Sequence, residues 1–211
     1  MMKGEHDSTL TALMRAIVAG DEALASRMLA ASPDIAYALL GAGATRRAAE
    51  EHYFDEIKHY AYAGDTALHI AAAAHRTGIA RRLIDLGTDL RARNRRGAAP
   101  LHYAADGMPG SNHWDPAAQA ATIICLIEAG ADPNAVDNNG VTPLHRAVRT
   151  RCAAAVNALL ARGADARRRN GSGSTPLLLA TRNTGRGGSG SPDANAQQTK
   201  IVRLLQQHGA T

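Results

Sequence analysis

Aromatic side chains are nearly missing from this chain: 211 residues include one Phe, one Trp and five Tyr, 3% in all. A single globular core of this length would ordinarily use more of them. The 45% apolar content, mostly alanine and leucine, suits thin helices packed in close layers. Cysteine is scarce as well. Cys125 and Cys152 are too few for a disulfide framework and read as two unpaired thiols in a reducing compartment. No apolar run approaches the roughly 20 residues of a membrane-spanning helix. Met1 to Gly20 carries Glu5 and Asp7 and lacks both the sustained apolar stretch and the small-residue cleavage site of a secretory signal. The expectation is a cytoplasmic protein that makes no use of a membrane, with signal-independent export left open.

What the chain does have is a recurring phrase. Thr142-Pro143-Leu144-His145 has variants in Thr66-Ala67-Leu68-His69, Ala99-Pro100-Leu101-His102 and Thr175-Pro176-Leu177-Leu178. Leu68 to Leu101 is 33 positions (101 − 68), and Leu144 to Leu177 is again 33 (177 − 144). Gly87-Thr88-Asp89, Gly130-Ala131-Asp132 and Gly163-Ala164-Asp165 each begin 14 positions before the next motif leucine (101 − 87, 144 − 130, 177 − 163). The phrase, the period and the Gly-Ala-Asp closing each unit closely resemble the ankyrin repeat. The resemblance is strong over residues 63 to 211. It is weak over 9 to 32, where Thr11-Ala12-Leu13-Met14 followed by Gly20-Asp21 reads as a degraded first unit.

The residues make physical sense without the family. Thr142 can cap a helix through its hydroxyl, and Pro143 suits a first helical position, where no backbone donor is needed. Val156, Leu159 and Leu160 lie three and four apart, the spacing of a buried helical stripe, and Gly163 can end that helix in the left-handed conformation. Each unit is thus helix, turn, helix and an extended link, and neighbours must stack because no unit covers its own apolar face. The predicted fold is an all-α solenoid of helix-turn-helix units with short, extended, hairpin-like fingers. It forms one domain over 1–211, with units at about 9–40, 63–96, 97–139, 140–172 and 173–211.

Three insertions break the period. Leu13 to Leu68 is 55 (68 − 13), an excess of 22; Leu101 to Leu144 is 43 (144 − 101), an excess of 10. In the last unit Leu177 to Gly209 is 32 (209 − 177) where 19 is expected, an excess of 13. The first, about 41–62, places Tyr53, Phe54, Ile57 and Tyr60 at near-helical spacing and is predicted to be a helical flap packed on the first units. The others, about 106–116 and 183–196, separate the two helices of units three and five. They should project on the same side with unit four between them. The former carries Trp114 between His113 and Asp115; the latter is Gly/Ser-rich.

Catalytic and cofactor chemistry finds little support. Gly185-Arg186-Gly187-Gly188-Ser189-Gly190 has the letters of a dinucleotide fingerprint, but a helix precedes it where a strand is required. No Gly-x-Ser-x-Gly elbow is present. His52, Glu56 and His59 could touch a metal from one helical face, yet seven positions between the histidines is not the four-residue spacing that brings two imidazoles together. The resemblance implies a structural role for His69, His102 and His145, with the ring bonding the motif threonine and backbone in the turn. Catalytic residues, cofactors and metals are therefore expected to be none.

The formal charge is +5, from 24 Lys plus Arg against 19 Asp plus Glu, and it is unevenly placed. Arg91, Arg93, Arg95 and Arg96 form one link, Arg167, Arg168 and Arg169 another, and Asp132, Asp137, Asn138 and Asn139 the link between them. The resemblance implies that inner-helix positions and finger tips form a concave partner-binding surface. It assigns Arg95, Arg96, Tyr103, Asn138, Asn139, Arg146, Arg149 and Arg182 to that surface, with Trp114 on an inserted loop as a further candidate. Arginine beside tyrosine favours carboxylate-rich partners. The expected function is a non-enzymatic protein-binding module, monomeric, with an acidic partner. The alternatives are an enzyme or metal-dependent site at the insertions, or nucleic-acid binding. The last is disfavoured because lysine and stacking aromatics are few and Asp132 and Asp137 would repel a phosphate backbone.

Overall fold

The computed structural model describes residues 2–109, 114–182 and 192–210. Its helices run α1 (Met2–Ala19), α2 (Glu22–Ala31), α3 (Ala67–Ala73), α4 (Thr77–Asp85), α5 (Pro100–Ala104), α6 (Pro116–Glu128), α7 (Pro143–Arg149), α8 (Ala153–Ala161), α9 (Pro176–Thr181) and α10 (Pro192–Gln207). They pair into five units and stack in two layers. α1, α3, α5, α7 and α9 pack successively in one layer, and α2, α4, α6, α8 and α10 in the other. The motif leucines Leu13, Leu68, Leu101 and Leu144 are buried in the single core that runs through the stack. This is the helical solenoid the repeat predicts. Among the described residues no helix is long and apolar enough to cross a membrane.

The motif builds each turn twice over. The hydroxyl of Thr66 accepts from His69 N, and the hydroxyl of Thr142 from His145 N, at 3.4 and 3.3 Å. In return the backbone N–H of Thr66, Ala99 and Thr142 donates to Nδ1 of His69, His102 and His145 at 3.1–3.3 Å. With Nδ1 an acceptor, Nε2 carries the proton and donates across the stack: His69 to Ala98 O, His102 to Val141 O, His145 to Ser174 O, at 3.0–3.1 Å. Each imidazole is therefore a tie between consecutive units. Burial pushes all three below the ordinary histidine value, His102 to about 4, so the rings are neutral at pH 7.

The links repeat as faithfully. Asn94, Asp137 and Asn170, each seven residues before a motif leucine, accept two backbone N–H bonds through Oδ1, from the residues two and four positions on. The glycine that follows in each turn is left-handed: Gly97, Gly140 and Gly173 have φ of 67–75°.

The first insertion departs from the expectation of a helix. It folds as short 3-10 turns at Glu50–His52 and Asp55–Ile57 around a two-stranded antiparallel hairpin, β1 (Tyr53–Phe54) and β2 (His59–Tyr60). Tyr53 pairs with Tyr60 and their rings lie 4.6 Å apart, while Lys58 turns the chain at φ 48°. Aromatic side chains favour extended, cross-strand pairing, and a helix as short as this segment allows is marginal by itself. The other two insertions are partly helical. Asp115 caps α6 through Ala117 N and Ala118 N, and α10 starts at Pro192, inside the segment expected as a loop. His113 and most of the Gly/Ser stretch lie outside the described residues.

Candidate functional site

The inner face of the array is where the resemblance puts partner-binding residues, and in its first three units the inserted segment already lies there. Leu40 and Gly64 exchange backbone bonds with Asp65 and Leu40, and Ala44 N donates to Ala61 O, which anchors both ends of the segment beside α3. The hairpin lies against α1, enclosing with Thr11, Met14, Arg15 and Val18 a cavity of about 240 Å³. Phe54, Ile57 and Tyr62 pack on the core. The segment therefore does pack against the first units, as a hairpin rather than a helix.

Its far edge reaches α5. The His59 ring lies 4.3 Å from the Tyr103 ring, and His69 meets the same tyrosine edge-on at 5.2 Å. The Tyr103 hydroxyl donates to Asp65 Oδ2 and accepts from Asn94 Nδ2, both at 2.8 Å. Burial, and then the charge of Asp65, hold that phenol well above the usual tyrosine value. Tyr103 is 1% exposed and cannot act as an open surface anchor, in contrast to the sequence expectation.

Arg146 departs from the expectation in the same way. It is 8% exposed, and its guanidinium bridges Asp106 (Nη1 to Oδ2, 2.9 Å) and Asp137 (Nη2 to Oδ2, 3.3 Å), with Cζ 6.0 Å from the Tyr103 ring centroid. Burial alone would raise both carboxyls. At Asp106 Arg146, aided by His59, and at Asp137 the backbone N–H groups of Asn139 and Val141, aided by Arg146, override it and hold both below the ordinary carboxylate value. Burial would in turn lower the guanidinium, which the two carboxylates raise instead. His59 Nε2 stands 3.8 Å from Asp106 Oδ2, so the hairpin, α5 and α7 share one polar cluster.

The other candidates are on the surface. Arg95 and Arg96 are exposed at the finger tip before α5, yet both lie over the Tyr62 ring, with Cζ at 5.3 and 5.0 Å from its centroid. Arg95 donates to Ala44 O, and Arg96 to the Tyr62 hydroxyl at 3.0 Å. Asn138 and Asn139 are exposed at the next tip. Asn138 donates to Arg96 O from its backbone and to Arg95 O from its side chain, at 3.0 and 3.1 Å, and Asn139 O accepts from Gly171 N. Arg149 and Arg182 are exposed at the ends of α7 and α9. Trp114 is not with them. It sits beside the outer helices, its indole N–H donating to Gln119 Oε1 at 2.9 Å.

His52 and Glu56 line the cavity beside α1, whereas His59 faces Tyr103 and Asp106, so the structure does not gather them as one site. Among the described residues no group of three or more His, Cys, Asp or Glu could hold a metal ion. Cys152 is buried at the turn before α8, and burial pushes its thiol up to about 12, far from a reactive thiolate. Asp65, His59 and Asp106 are members of the polar cluster that residue-by-residue reading missed. Asn94 had a signal: an Asn or Asp recurs seven before each of three motif leucines.

Models of one repeat family account for most of these units. Ankyrin repeats in three copies match residues 28–112, a single ankyrin repeat matches 96–138, and ankyrin repeats in many copies match 126–180. The chain belongs to the ankyrin-repeat family. It is 35% identical over 108 residues to neurogenic locus notch homolog protein 2 of Homo sapiens, covering 46% of this chain and 4% of that protein. To the E3 ubiquitin-protein ligase KEG of Arabidopsis thaliana it is 39% identical over 98 residues, 44% of this chain and 5% of that protein. The chain thus spans about a twentieth of the length of these relatives. Ankyrin repeats are generally protein–protein interaction modules, and no catalytic family is indicated.

Proposed function

We propose that this ankyrin protein holds an acidic protein partner along the finger-tip edge of its inner face, through Arg95, Arg96, Asn138 and Asn139, with Arg149 and Arg182 extending the surface toward unit five. The supporting observation is the bonding between tips. Asn138 ties its own finger to the carbonyls of Arg95 and Arg96, so four exposed polar side chains stand on one braced edge. A braced edge loses little side-chain freedom on binding, and two adjacent guanidinium groups suit carboxylates. Asp137, on the next link, is buried in its pair with Arg146. The protein acts as a monomer, and two free, buried thiols support a reducing location such as the cytoplasm.

The test is affinity capture from the native cell with the intact chain, followed by binding measurements on the captured protein. Arg182→Glu leaves the hairpin contacts alone and should weaken binding by about 2 kcal/mol if it is a well-buried anchor, with an unchanged melting curve. Arg95→Glu with Arg96→Glu should do the same at some cost in stability. The control is Arg81→Glu with Arg82→Glu, exposed on α4. Equal loss from the control would mean that binding follows net charge, and the edge would not be the site.

A further inference from the structure

The outer helices α6, α8 and α10 end at matching points of the repeat but begin at different heights. Each closes on a left-handed glycine two residues past its last helical residue: Gly130, Gly163 and Gly209. Yet α6 has 13 residues, α8 has 9 and α10 has 16. At about 1.5 Å per residue, α6 overhangs the start of α8 by about 6 Å and α10 by about 10 Å. The extra length comes from the two insertions that flank unit four.

Where α6 overhangs the start of α8, and against the part of α10 that is level with α8 itself, lies a slot of about 450 Å³. Ala153 and Ala154 at the start of α8 are its floor, Trp114 and Pro116 one wall, and Lys200 and Leu204 of α10 the other. Gln197 fixes the second wall: its Oε1 accepts from Ala153 N at 3.2 Å, bracing α10 against the first turn of α8. On α10 the residues on the slot are distinct from Ile201 and Leu205, which are buried in the core.

The slot is apolar at the bottom and cationic at the rim. Lys200 and Arg203, both exposed, are the charged residues that line it. Asp115, next to Trp114, is occupied as the cap of α6. We infer that this slot docks an acidic peptide segment of a partner protein, with one bulky apolar side chain between Trp114 and Leu204 above the two alanines, and flanking carboxylates on Lys200 and Arg203. The volume falls in the range of small-ligand sites, and an apolar anchor with a charged rim is the usual division of labour in such contacts. The slot lies on the outer layer, so it is a second surface, independent of the finger-tip edge.

Trp114 is the only tryptophan of the chain and reports occupancy directly. The intact protein would be titrated with the capped hexapeptide Glu-Glu-Leu-Phe-Glu-Glu while tryptophan emission is followed. The expected result is a saturable change that weakens with salt. Binding should drop by about tenfold or more when Lys200→Glu and Arg203→Glu are combined, and likewise when Ala154→Leu fills the floor. The charge variant is exposed and keeps the fold, so it decides the matter even where Ala154→Leu lowers the melting temperature. An unchanged emission, equal binding of the hexapeptide with lysines in place of glutamates, or full binding by the charge variant would overturn the inference. So would self-association that alters the same emission without peptide, which would give the slot to a second copy.

Discussion

Units two and three carry Ile70 and Tyr103 two residues after the motif leucine, both buried, while unit five carries Leu179 at the same place, half-buried, next to Leu178 at 38% exposure. All three occupy one position of the repeat and one layer of the stack. Two things separate them: no further unit packs on α9 among the described residues, and the inserted hairpin lies beside α1, α3 and α5 and not beside α9. Register in a repeat therefore sets which layer a residue belongs to, whereas the next unit and a segment outside the repeat together set whether it meets solvent. On the covered half the polar side chains became a buried cluster, with Tyr103 on Asp65 and Arg146 on Asp106 and Asp137. On the open half Arg182 is exposed at the end of α9.

The widest gap between the halves should come from arginine substitutions. Arg146→Ala leaves two carboxylates in the interior without their shared partner and is expected to cost about 3–5 kcal/mol, near the stability of many whole domains. Arg182→Ala on the open half should change stability by about 0.5 kcal/mol or less. Urea denaturation of both variants measures the difference. Similar small losses from both would show that the Arg146 bridge is solvated and that the hairpin does not seal its half.

Acid should act on the halves unequally as well. His102 titrates at 6.5 when free and at about 4 in the fold. Between those values the unfolded chain binds more protons, so its contribution is complete above about pH 6.5 and is lost as the pH falls toward 4, up to about 3 kcal/mol. His69 and His145 are displaced in the same direction and add to the loss. Asp106 is displaced the other way and holds its contribution until the pH falls below the ordinary carboxylate value, 3.8. Unit five has Leu178 in place of the ring and so lacks this tie. Melting temperature should fall steeply from pH 6.5 to 4, and His102→Gln should flatten that slope. An unchanged slope would remove the inter-unit histidine ties as the cause.

The fold was legible because it is periodic. Leu, His and Gly at fixed intervals specify cap, tie and stop for every helix, and each tie joins neighbours, so local spacing fixes the whole stack. The inserted segment has no such redundancy. Tyr53, Phe54, Ile57 and Tyr60 satisfy a helical spacing and a cross-strand pairing alike, and the choice between them is made by surfaces 40 residues or more away, such as Tyr103. Since the segment then decides what is buried, Tyr103 and Arg146 were placed in the right layer but in the wrong environment. Arg95, Arg96, Asn138 and Asn139, which the resemblance implies for the partner face, are exposed at finger tips the segment does not seal.

A finer probe of the covered half is Tyr62, which supports both Arg95 and Arg96. Tyr62→Ala removes two cation–π contacts and the hydroxyl that accepts from Arg96, for an expected loss of about 1–2 kcal/mol, while Tyr62→Phe should lose less. Hydrogen exchange in residues 41–62 should rise in the alanine variant and stay unchanged in α8. Uniform loosening across the chain would mean that the hairpin is an integral part of the core instead of a cover over one half.

The smallest expected effect compares one turn position across the halves. His75 and Arg151 both stand seven residues after a motif leucine, where unit one has Gly20, and both are left-handed, with φ of 52° and 59°. On the covered half His75 makes use of the strained backbone: its Nε2 lies 3.2 Å from both Ala104 O and Asp106 O, carrying another tie to the next unit. Arg151 is 4% exposed, and its two terminal guanidinium nitrogens have no partner among the described residues. A left-handed non-glycine costs of order 1 kcal/mol, and a buried donor without an acceptor costs more. Arg151→Gly removes both penalties, offset by the greater freedom of glycine in the unfolded chain, for a net gain of about 1 kcal/mol. His75→Gly relieves the same backbone but gives up the ring's bonds, and should lower stability by a similar amount. Thermal melts of the two variants should therefore move in opposite directions. A loss of stability in Arg151→Gly equal to that in His75→Gly would show that Arg151 is satisfied in solution and that this turn is tied alike in both halves.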